Sequence, residues 1–332
     1  MKKNLITLTA LAVTAVMAFT GCGSSSDVAG DTEGNSAGVE QLTLGTGGTT
    51  GTYYAVGGTM STVLNNAMEN IGIKVVSSGA SKANILDIDD KVSDIAIVQN
   101  DVMYYAAQGT DLFVADGVFD SFSAVAGIYD ETCQIIATPD IKSIEDLKGK
   151  TVNVGDAGSG VEFNATQILA AYGIDINTDI NKVNGSFSDA ADSIKDEKID
   201  AAFITAGAPT TAVVDLALSK EINLLTIDDE HADILVSEYP FYTKTIIPGG
   251  TYSTVADDVQ TLSVRATLIA SNDVSEDAIY ELTKALFENK DMLASSNAKF
   301  EELVAEEAVQ GISVPFHPGA EKYFKEIGVL SN

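Results

Sequence analysis

Short apolar segments alternate with helical segments along residues 41–107, and this alternation constrains the fold more than any other feature. The apolar runs at 41–45, 73–76 and 95–98 have the length of buried strands. Residues 53–67 show helical spacing through Val56, Met60, Val63 and Leu64, and further helices are predicted at 81–87 and 101–107. Strands joined through helices pair in parallel, so we predict a mostly parallel α/β sheet with ligands at the carboxyl ends of its strands.

The same order of elements recurs later in the chain. Strands are predicted at 152–155, 182–183 and 201–204, and helices at 161–172, at 189–195 and after Pro209. Two extended apolar stretches, 134–137 and 242–247, lie between the units. If the chain passes from one unit to the other and returns, these stretches are the two crossover strands. The sequence therefore predicts two similar α/β lobes, hinged around a cleft that closes on a small ligand.

The first of these lobes is predicted to be discontinuous in sequence. It comprises residues 39–133 together with 248–332, and the second lobe comprises residues 134–247. The returning part of the first lobe is predicted to contain a strand at 261–270 and helices at 276–288, 292–302 and 321–327. The chain would then enter the second lobe once and leave it once.

The first 38 residues resemble an export and anchoring segment. Residues 1–21 combine Lys2 and Lys3 with an apolar run shorter than the roughly 20 residues of a membrane helix, which is typical of a signal peptide. The stretch FTGC at 19–22 resembles a lipobox, with Phe19 where leucine is more usual, so Cys22 is predicted to carry a lipid. Residues 22–38 are predicted to be a flexible tether. We expect an exported protein anchored at the outer face of the cytoplasmic membrane; plain secretion is the alternative.

The cysteine content and the net charge of the chain exclude several kinds of partner and of metal site. Once Cys22 is lipidated, Cys133 is the one cysteine left, so the sequence predicts neither a disulfide nor a thiol-based zinc site. The formal net charge is −29, which makes nucleic acid and anionic lipid surfaces poor partners. No cofactor and no metal are expected.

A glycine-rich loop, LGTGGTTGTYYAVGG at residues 44–58, precedes the first helix. It does not fit a dinucleotide fingerprint, because Thr50 stands where the third glycine is needed. It does not fit a P-loop either, because no lysine follows. A glycine-rich turn entering a helix still offers free backbone N–H groups to an anion, and DAGSG at 156–160 offers the same in the other lobe. Two such helix starts suit a small carboxylate, although either loop alone could be a simple tight turn.

Catalytic motifs are weak in this chain. Gly158-Ser159-Gly160 lacks the flanking residues of a nucleophile elbow, and we expect His231 and His317 to be surface or hydrogen-bonded residues. The sequence therefore does not predict an enzyme. A cleft hydrolase or transferase and a surface lipoprotein with a sensing or adhesion role stay open as alternatives.

Several stretches together resemble the TAXI family, the TRAP-associated extracytoplasmic solute receptors. The resemblance extends from about Leu42 to the C-terminus and rests on LGTGGTTGTYYAVGGTM, SSGASKANI, DIAIVQND, ITAGAPTTAVVDL and YPFYTKTIIPGGTY, and on the longer stretch that begins IYDETCQIIATPD. It implies a two-lobed periplasmic-binding-protein fold of type II. It also implies a receptor that captures a glutamate- or glutamine-like amino acid, a 2-oxo acid or a dicarboxylate, and delivers it to a TRAP-type permease driven by an ion gradient.

The resemblance also suggests ligand-binding positions on the loops of both lobes: Thr46, Gly47, Gly48, Tyr53, Tyr54, Ser81, Asn84, Gln99, Ser159, Gly160, Pro209, Thr251 and Tyr252. The single arginine, Arg265, lies in a predicted strand away from these loops, so an arginine clamp on the ligand is not expected. Backbone N–H groups, hydroxyls and side-chain amides would then hold the anion.

Overall fold

The structure is a computed structural model that describes residues 39–331. The predicted signal peptide, the predicted lipidation at Cys22 and the predicted tether lie in residues 1–38, outside the described residues. Among residues 39–331, no helix combines the length and the apolar character that crossing a bilayer requires.

Strands and helices alternate in the first part of the described chain, as predicted. The elements are β1 (Glu40–Gly45), α1 (Thr52–Leu64), β2 (Ile71–Val76), α2 (Ser81–Asp89), β3 (Ile95–Gln99), α3 (Asn100–Gln108) and the long strand β4 (Phe122–Ala137). The middle of the chain repeats the alternation with β5 (Thr151–Asn153), α4 (Gly160–Ala171), β6 (Asn181–Val183), α5 (Phe187–Lys195), β7 (Ala201–Ala206), α6 (Thr211–Ala217), β8 (Asn223–Leu224), α7 (Asp229–Glu238) and β9 (Thr243–Ile247).

A second long strand and a group of helices complete the described chain. They are β10 (Val259–Ser271), α8 (Glu276–Glu288), α9 (Lys290–Ser296), α10 (Ala305–Ala308) and α11 (Pro318–Glu326). Short 3₁₀ helices cover Asp111–Phe113, Glu145–Leu147 and Ala298–Glu302.

Within residues 39–331 the strands form one ten-stranded sheet with the order β2-β1-β3-β10-β4-β7-β5-β6, in which β8 pairs with β4 and β9 pairs with β10. The pairs β1–β2, β1–β3, β5–β6 and β5–β7 are parallel, whereas β4 and β10 run antiparallel to each other and to their other partners. We call the part around β1–β3, with helices α1–α3 and α8–α11, the first lobe. The part around β5–β8, with helices α4–α7, is the second lobe.

Apolar side chains cover both faces of the sheet in each lobe. In the first lobe, α1, α8 and α11 pack on one face together with Leu44 and Ile97, and α2 and α3 pack on the other. In the second lobe, α4 and α7 cover one face, and α5 and α6 cover the other. Strand β3 is buried at every position, which explains its unbroken apolar sequence.

The long strand β4 and two helical regions account for the main differences from the predicted elements. Strand β4 begins at Phe122, not at residue 134, because Gly127, Asp130 and Glu131 interrupt its apolar run without ending the strand. The helix predicted at 292–302 is α9 followed by a 3₁₀ helix, because Asn297 has an extended backbone and its side chain accepts a hydrogen bond from the Lys299 N–H. Helix α7 was not predicted.

The predicted crossover stretches lie in β4 and in β9. Strand β9 pairs with the beginning of β10, and Tyr252 and Val259 pack in an apolar cluster of the second lobe. The lobe boundaries at 133/134 and 247/248 stay predictions. We propose that the chain returns to the first lobe inside β10, because that strand pairs with β9 at one end and with β3 at the other.

The first-lobe core depends on close packing around β3. Replacing the fully buried Ile97 with alanine should lower the free energy of unfolding by about 2–5 kcal/mol, because it leaves a cavity. Ile246→Ala is the matched control, because Ile246 is 57% exposed on β9 and should cost less than about 1 kcal/mol. Urea denaturation measures both. Equal losses would contradict this assignment of the core.

Candidate ligand-binding site

A cleft lies between the two lobes, at the carboxyl ends of β1, β3 and β7. It has an empty volume of about 590 Å³, including its open mouth. The first lobe contributes Gly47, Gly48, Thr50, Gly51, Thr52, Tyr53, Ala80, Ser81, Gln99 and Glu131, and the second contributes Asp156, Ser159, Gly160, Val161, Ser186, Phe187, Thr205 and Ala206. This position matches the expectation that ligands gather at strand ends near a change in sheet order.

Two helices begin at the cleft, one from each lobe. Helix α1 follows the glycine-rich loop, and its N-cap residue Gly51 offers no side-chain cap. Helix α4 begins at Gly160, after a turn in which Gly155 and Gly158 have φ of +86° and +75°, a conformation that favours glycine. First-turn N–H groups have no acceptor one turn earlier in their helix, so both helix starts offer backbone donors and a positive dipole end at the cleft, apart from the Glu162 N–H that Ser159 accepts.

A buried carboxyl group stands in the middle of the cleft wall. Glu131 of β4 is only 2% exposed, and its Oε1 accepts a hydrogen bond of 2.5 Å from the Tyr53 hydroxyl of α1. Burial raises the pKa of Glu131 to about 8, against the lowering effects of that hydrogen bond and of the neighbouring Gln99 side chain. Burial and the neighbouring Glu131 also hold the pKa of Tyr53 well above its usual value. The burial of Glu131 thus favours its protonated form at neutral pH.

The Gln99 side chain reaches from the first lobe to the second. Its backbone N–H donates to Ser81 Oγ over 3.1 Å, which fixes the end of β3 beside the start of α2. Its side-chain Oε1 is buried and has no hydrogen-bond partner among the described residues. A Cβ placed on Gly160 would overlap that oxygen, so the absence of a side chain at Gly160 lets the lobes approach each other here.

The ionisable side chains that line the cleft are acidic. Its described lining contains Glu131 and Asp156 and no lysine, arginine or histidine. Burial, and secondarily Asp189, raise the pKa of Asp156. Arg265 does not line the cleft, and its Nη1 is 2.9 Å from an Asp130 carboxylate oxygen.

The two histidines occupy structural positions away from the cleft. His231 stacks on Tyr172 with ring centroids 3.6 Å apart, and its Nδ1 is 2.7 Å from Asp228. His317 is buried at the start of α11, where its Nε2 lies 3.1 Å from the Val274 carbonyl oxygen. Neither ring is placed to act as a general base in the cleft.

Seven of the predicted binding residues meet at this cleft: Gly47, Gly48, Tyr53, Ser81, Gln99, Ser159 and Gly160. Ser159 also accepts the Glu162 N–H and so caps α4. Whether these residues contact a ligand stays a prediction.

The structure places the other six outside the cleft lining, and two of these tie the first loop down. The Thr46 hydroxyl donates to the Val76 carbonyl over 2.6 Å. The Asn84 amide donates to the carbonyls of Thr46 and Ile97 over 2.7 and 2.8 Å. Their polar groups are therefore used in holding the loop after β1.

The remaining four lie on other surfaces or in the core. Tyr54 is 36% exposed on the outer side of α1. Tyr252 is buried. Its hydroxyl donates a hydrogen bond to Gln134 Oε1 and accepts one from the Thr210 N–H. Pro209 and Thr251 line a separate surface depression, and the Thr251 hydroxyl donates to the Pro248 carbonyl over 2.6 Å.

Several cleft residues were not predicted from the sequence. Glu131 and Asp156 resemble ordinary acidic residues in the sequence, and Phe187 lies just before the helix predicted at 189–195. Thr52 links the lobes directly, because its hydroxyl donates to the Gly207 carbonyl over 3.1 Å. Asp156 could have been predicted as a cleft residue, because it is the first residue of the glycine-rich turn before α4.

Two α/β lobes joined by long strands around a cleft form the fold of periplasmic solute-binding proteins. The sequence agrees, because residues 44–328 match the model of the NMT1-like family. The chain therefore belongs to the NMT1-like family.

Solved structures with the same fold share little sequence with this chain. The alkanesulfonate-binding protein SsuA from Xanthomonas axonopodis pv. citri, bound to MOPS, is 15% identical with a TM-score of 0.50, over 87% of this chain and 85% of that one. A binding protein of an ABC phosphonate transporter from Pseudomonas aeruginosa is 14% identical with a TM-score of 0.52, over 80% of each chain. A structure concerning glutathione import through GshT and the cystine ABC importer TcyBC of Streptococcus mutans is 14% identical with a TM-score of 0.50, over 79% of this chain and 95% of that one.

The missing side chain at Gly160 provides a test of the contact between the lobes. Gly160→Ala should force the lobes apart, because its Cβ would overlap Gln99 Oε1 and lie 2.9 Å from Val102 Cγ2 of the first lobe. Small-angle X-ray scattering should show a larger radius of gyration, and the free energy of unfolding should fall by about 1–3 kcal/mol. Gly58→Ala in α1 is the control, because open space surrounds its Cβ. An unchanged radius for Gly160→Ala would refute the contact.

The raised pKa of Glu131 predicts how stability depends on pH without ligand. Its pKa rises from an ordinary 4.5 to about 8 on folding, so its contribution is fully present below pH 4.5 and is lost as the pH rises through 8. Glu131→Gln should therefore lose less stability than wild type between pH 5 and 8, where the group's slope reaches about 1.4 kcal/mol per pH unit. Urea denaturation measures this. The exposed control Glu301→Gln should keep the wild-type slope, and a wild-type slope in Glu131→Gln would exclude the effect.

Proposed function

We propose that this protein is an extracytoplasmic solute receptor that captures a small carboxylate-bearing ligand in the cleft between its lobes. The observation that carries the proposal is the convergence of α1 and α4, whose N-termini reach one cleft from opposite lobes behind glycine-rich loops. Backbone donors at two helix starts can hold a carboxylate without a cationic side chain. The family and the fold support the same role.

The proposed partner is a TRAP-type permease driven by an ion gradient. Support comes from the sequence stretches that resemble TAXI receptors, and the predicted Cys22 lipid would keep the receptor near the membrane. The similar folds of proteins described with ABC transporters favour an ATP-driven importer as the second candidate. The chemistry of the cleft does not distinguish a TRAP-type permease from an ATP-driven importer, because both receive their ligand from a receptor.

A ligand screen tests the receptor function. The mature protein should be stabilised by at least one compound in a panel of amino acids, 2-oxo acids and dicarboxylates. A ligand at a hundredfold excess over its dissociation constant adds about 2.7 kcal/mol, which raises the melting temperature by several degrees. A panel without any stabilising compound would reject the proposal and favour the adhesion alternative. Chemical turnover of a bound compound would instead favour an enzyme.

A transport assay separates the two candidate partners. The receptor, its bound solute and the candidate permease are combined in proteoliposomes, and uptake is measured with an imposed sodium or proton gradient in the absence of ATP. Gradient-driven uptake that requires the receptor would support TRAP delivery. Uptake that occurs only with an ATP-hydrolysing importer would reject it and leave the receptor function intact.

A further inference from the structure

We propose that the cleft contains a subsite for the ammonium group of an α-amino acid, formed by Glu131 and by the side-chain oxygen of Gln99. This inference rests on the receptor function proposed above and selects among its ligand classes. It separates amino acids from 2-oxo acids and dicarboxylates, which carry no ammonium group.

The acceptors of this subsite lie together on the first-lobe wall. Glu131 is buried and lines the cleft, and its Oε1 is already held by the Tyr53 hydroxyl. Gln99 also lines the cleft, is 2% exposed, and leaves its Oε1 without a hydrogen-bond donor among the described residues. A buried acceptor without a donor is unfavourable, so the pair selects a ligand that brings N–H groups.

Among the described residues around Glu131, no unpaired cationic side chain is available to pair with its carboxyl group. Among the described charged groups on packed elements, Asp101 of α3 and Asp130 of β4 are acidic and oppose its ionisation. Lys299 approaches this face over the Tyr129 ring at 6.0 Å, but its Nζ is paired with Glu302 at 2.8 Å. A positive charge carried by the ligand would therefore be the partner that Glu131 lacks.

The opposite end of the same ligand fits the helix starts. The α-carboxylate of an amino acid can accept from the backbone donors of α1 and α4, while its ammonium group faces Glu131 and Gln99. A dicarboxylate would satisfy the helix starts but would bring no N–H group to Glu131 or to the unpaired Gln99 Oε1. The arrangement of donors and acceptors thus corresponds to a zwitterion.

Proton exchange distinguishes this proposal from the arrangement in which Glu131 faces a ligand carboxylate. The pKa of Glu131 is about 8 in the empty cleft, so a bound ammonium group would ionise it and release a proton at pH 7. A protonated Glu131 that donates to a ligand carboxylate would release none, and its ligand would bind more weakly above pH 8. The two arrangements therefore differ in the sign of their pH dependence.

The first experiment compares matched ligands. Binding of L-glutamate and 2-oxoglutarate, L-alanine and pyruvate, and L-valine and its 2-oxo analogue is measured by thermal shift and calorimetry. The proposal expects at least one amino acid to bind about 30-fold or more tightly than its 2-oxo partner, because the 2-oxo acid brings neither a positive charge nor N–H donors to Glu131 and Gln99. Binding confined to 2-oxo acids or dicarboxylates overturns the ammonium subsite and keeps the receptor function. If neither class binds, both proposals fall.

The second experiment removes the charge. Glu131→Gln keeps an acceptor for the Tyr53 hydroxyl and should weaken binding of the preferred amino acid about 30-fold or more, without weakening its 2-oxo partner. The control Glu301→Gln should bind as wild type does. Equal loss for both ligands would show a merely structural role and overturn the subsite.

Wild-type calorimetry covers the case in which Glu131→Gln does not fold. Titration of the preferred amino acid at pH 7 in phosphate and in Tris, which differ in ionisation enthalpy, gives the number of protons exchanged. Release of about one proton per ligand supports the subsite. Proton uptake, or no exchange, overturns it.

Discussion

The antiparallel pair of β4 and β10 is the interaction on which the rest of this structure depends. The two strands pair from Phe122 with Ser271 to Thr132 with Ser263, and each continues beyond this pairing into the second lobe. Both are much longer than the five or six residues of a common strand, and β4 is buried at nearly every position. The lobes therefore share one sheet, and the cleft between them is set by where these strands leave one core and enter the next.

The same pairing explains how a carboxyl group comes to be buried in the cleft wall. Glu131 lies opposite Val264 in the ladder, so its backbone position is fixed by strand pairing and not by its own side chain. Two unit charges 4 Å apart interact by about 4 kcal/mol at an effective dielectric constant of 20, favourably or unfavourably according to sign. An interaction of that size is large enough for one ionised Glu131 to favour the ammonium-bearing ligand proposed above. The strand pairing that fixes the Glu131 backbone therefore also places the proposed subsite.

Much of the fold could be predicted because its signals are local. Apolar runs such as IAIV predict strands, and helical spacing such as Val56 to Leu64 predicts helices. The glycine-rich loops indicate where two helices begin. The long strand β4 was only partly predicted, because Asp130 and Glu131 resemble a turn when read along the sequence. Only the pairing with β10, more than a hundred residues away, shows that they lie inside a strand.

The site was predicted less completely, for a related reason. The resemblance to TAXI receptors suggested Gly47, Ser81 and Ser159, and all three lie in βα turns, a position that brings them to the cleft. Asn84 and Tyr252 have the same polar character, yet their hydrogen bonds are used by loops of their own lobe. Which polar groups stay available to a ligand depends on contacts that no short stretch encodes.

The proposed ammonium subsite and the contact between the lobes share one residue, Gln99. Gln99 lines the cleft beside Glu131, and its side-chain oxygen lies against Gly160 of the other lobe. A ligand donor that bonds Gln99 therefore also acts at the point where the lobes touch, near the Thr52 to Gly207 hydrogen bond. Because a ligand shifts a conformational equilibrium only by its difference in affinity between the two states, contacts made at this junction favour the closed state. In the proposed receptor function, a ligand held at this junction would link occupancy of the cleft to the relative position of the lobes, which is a feature that a partner permease could recognise.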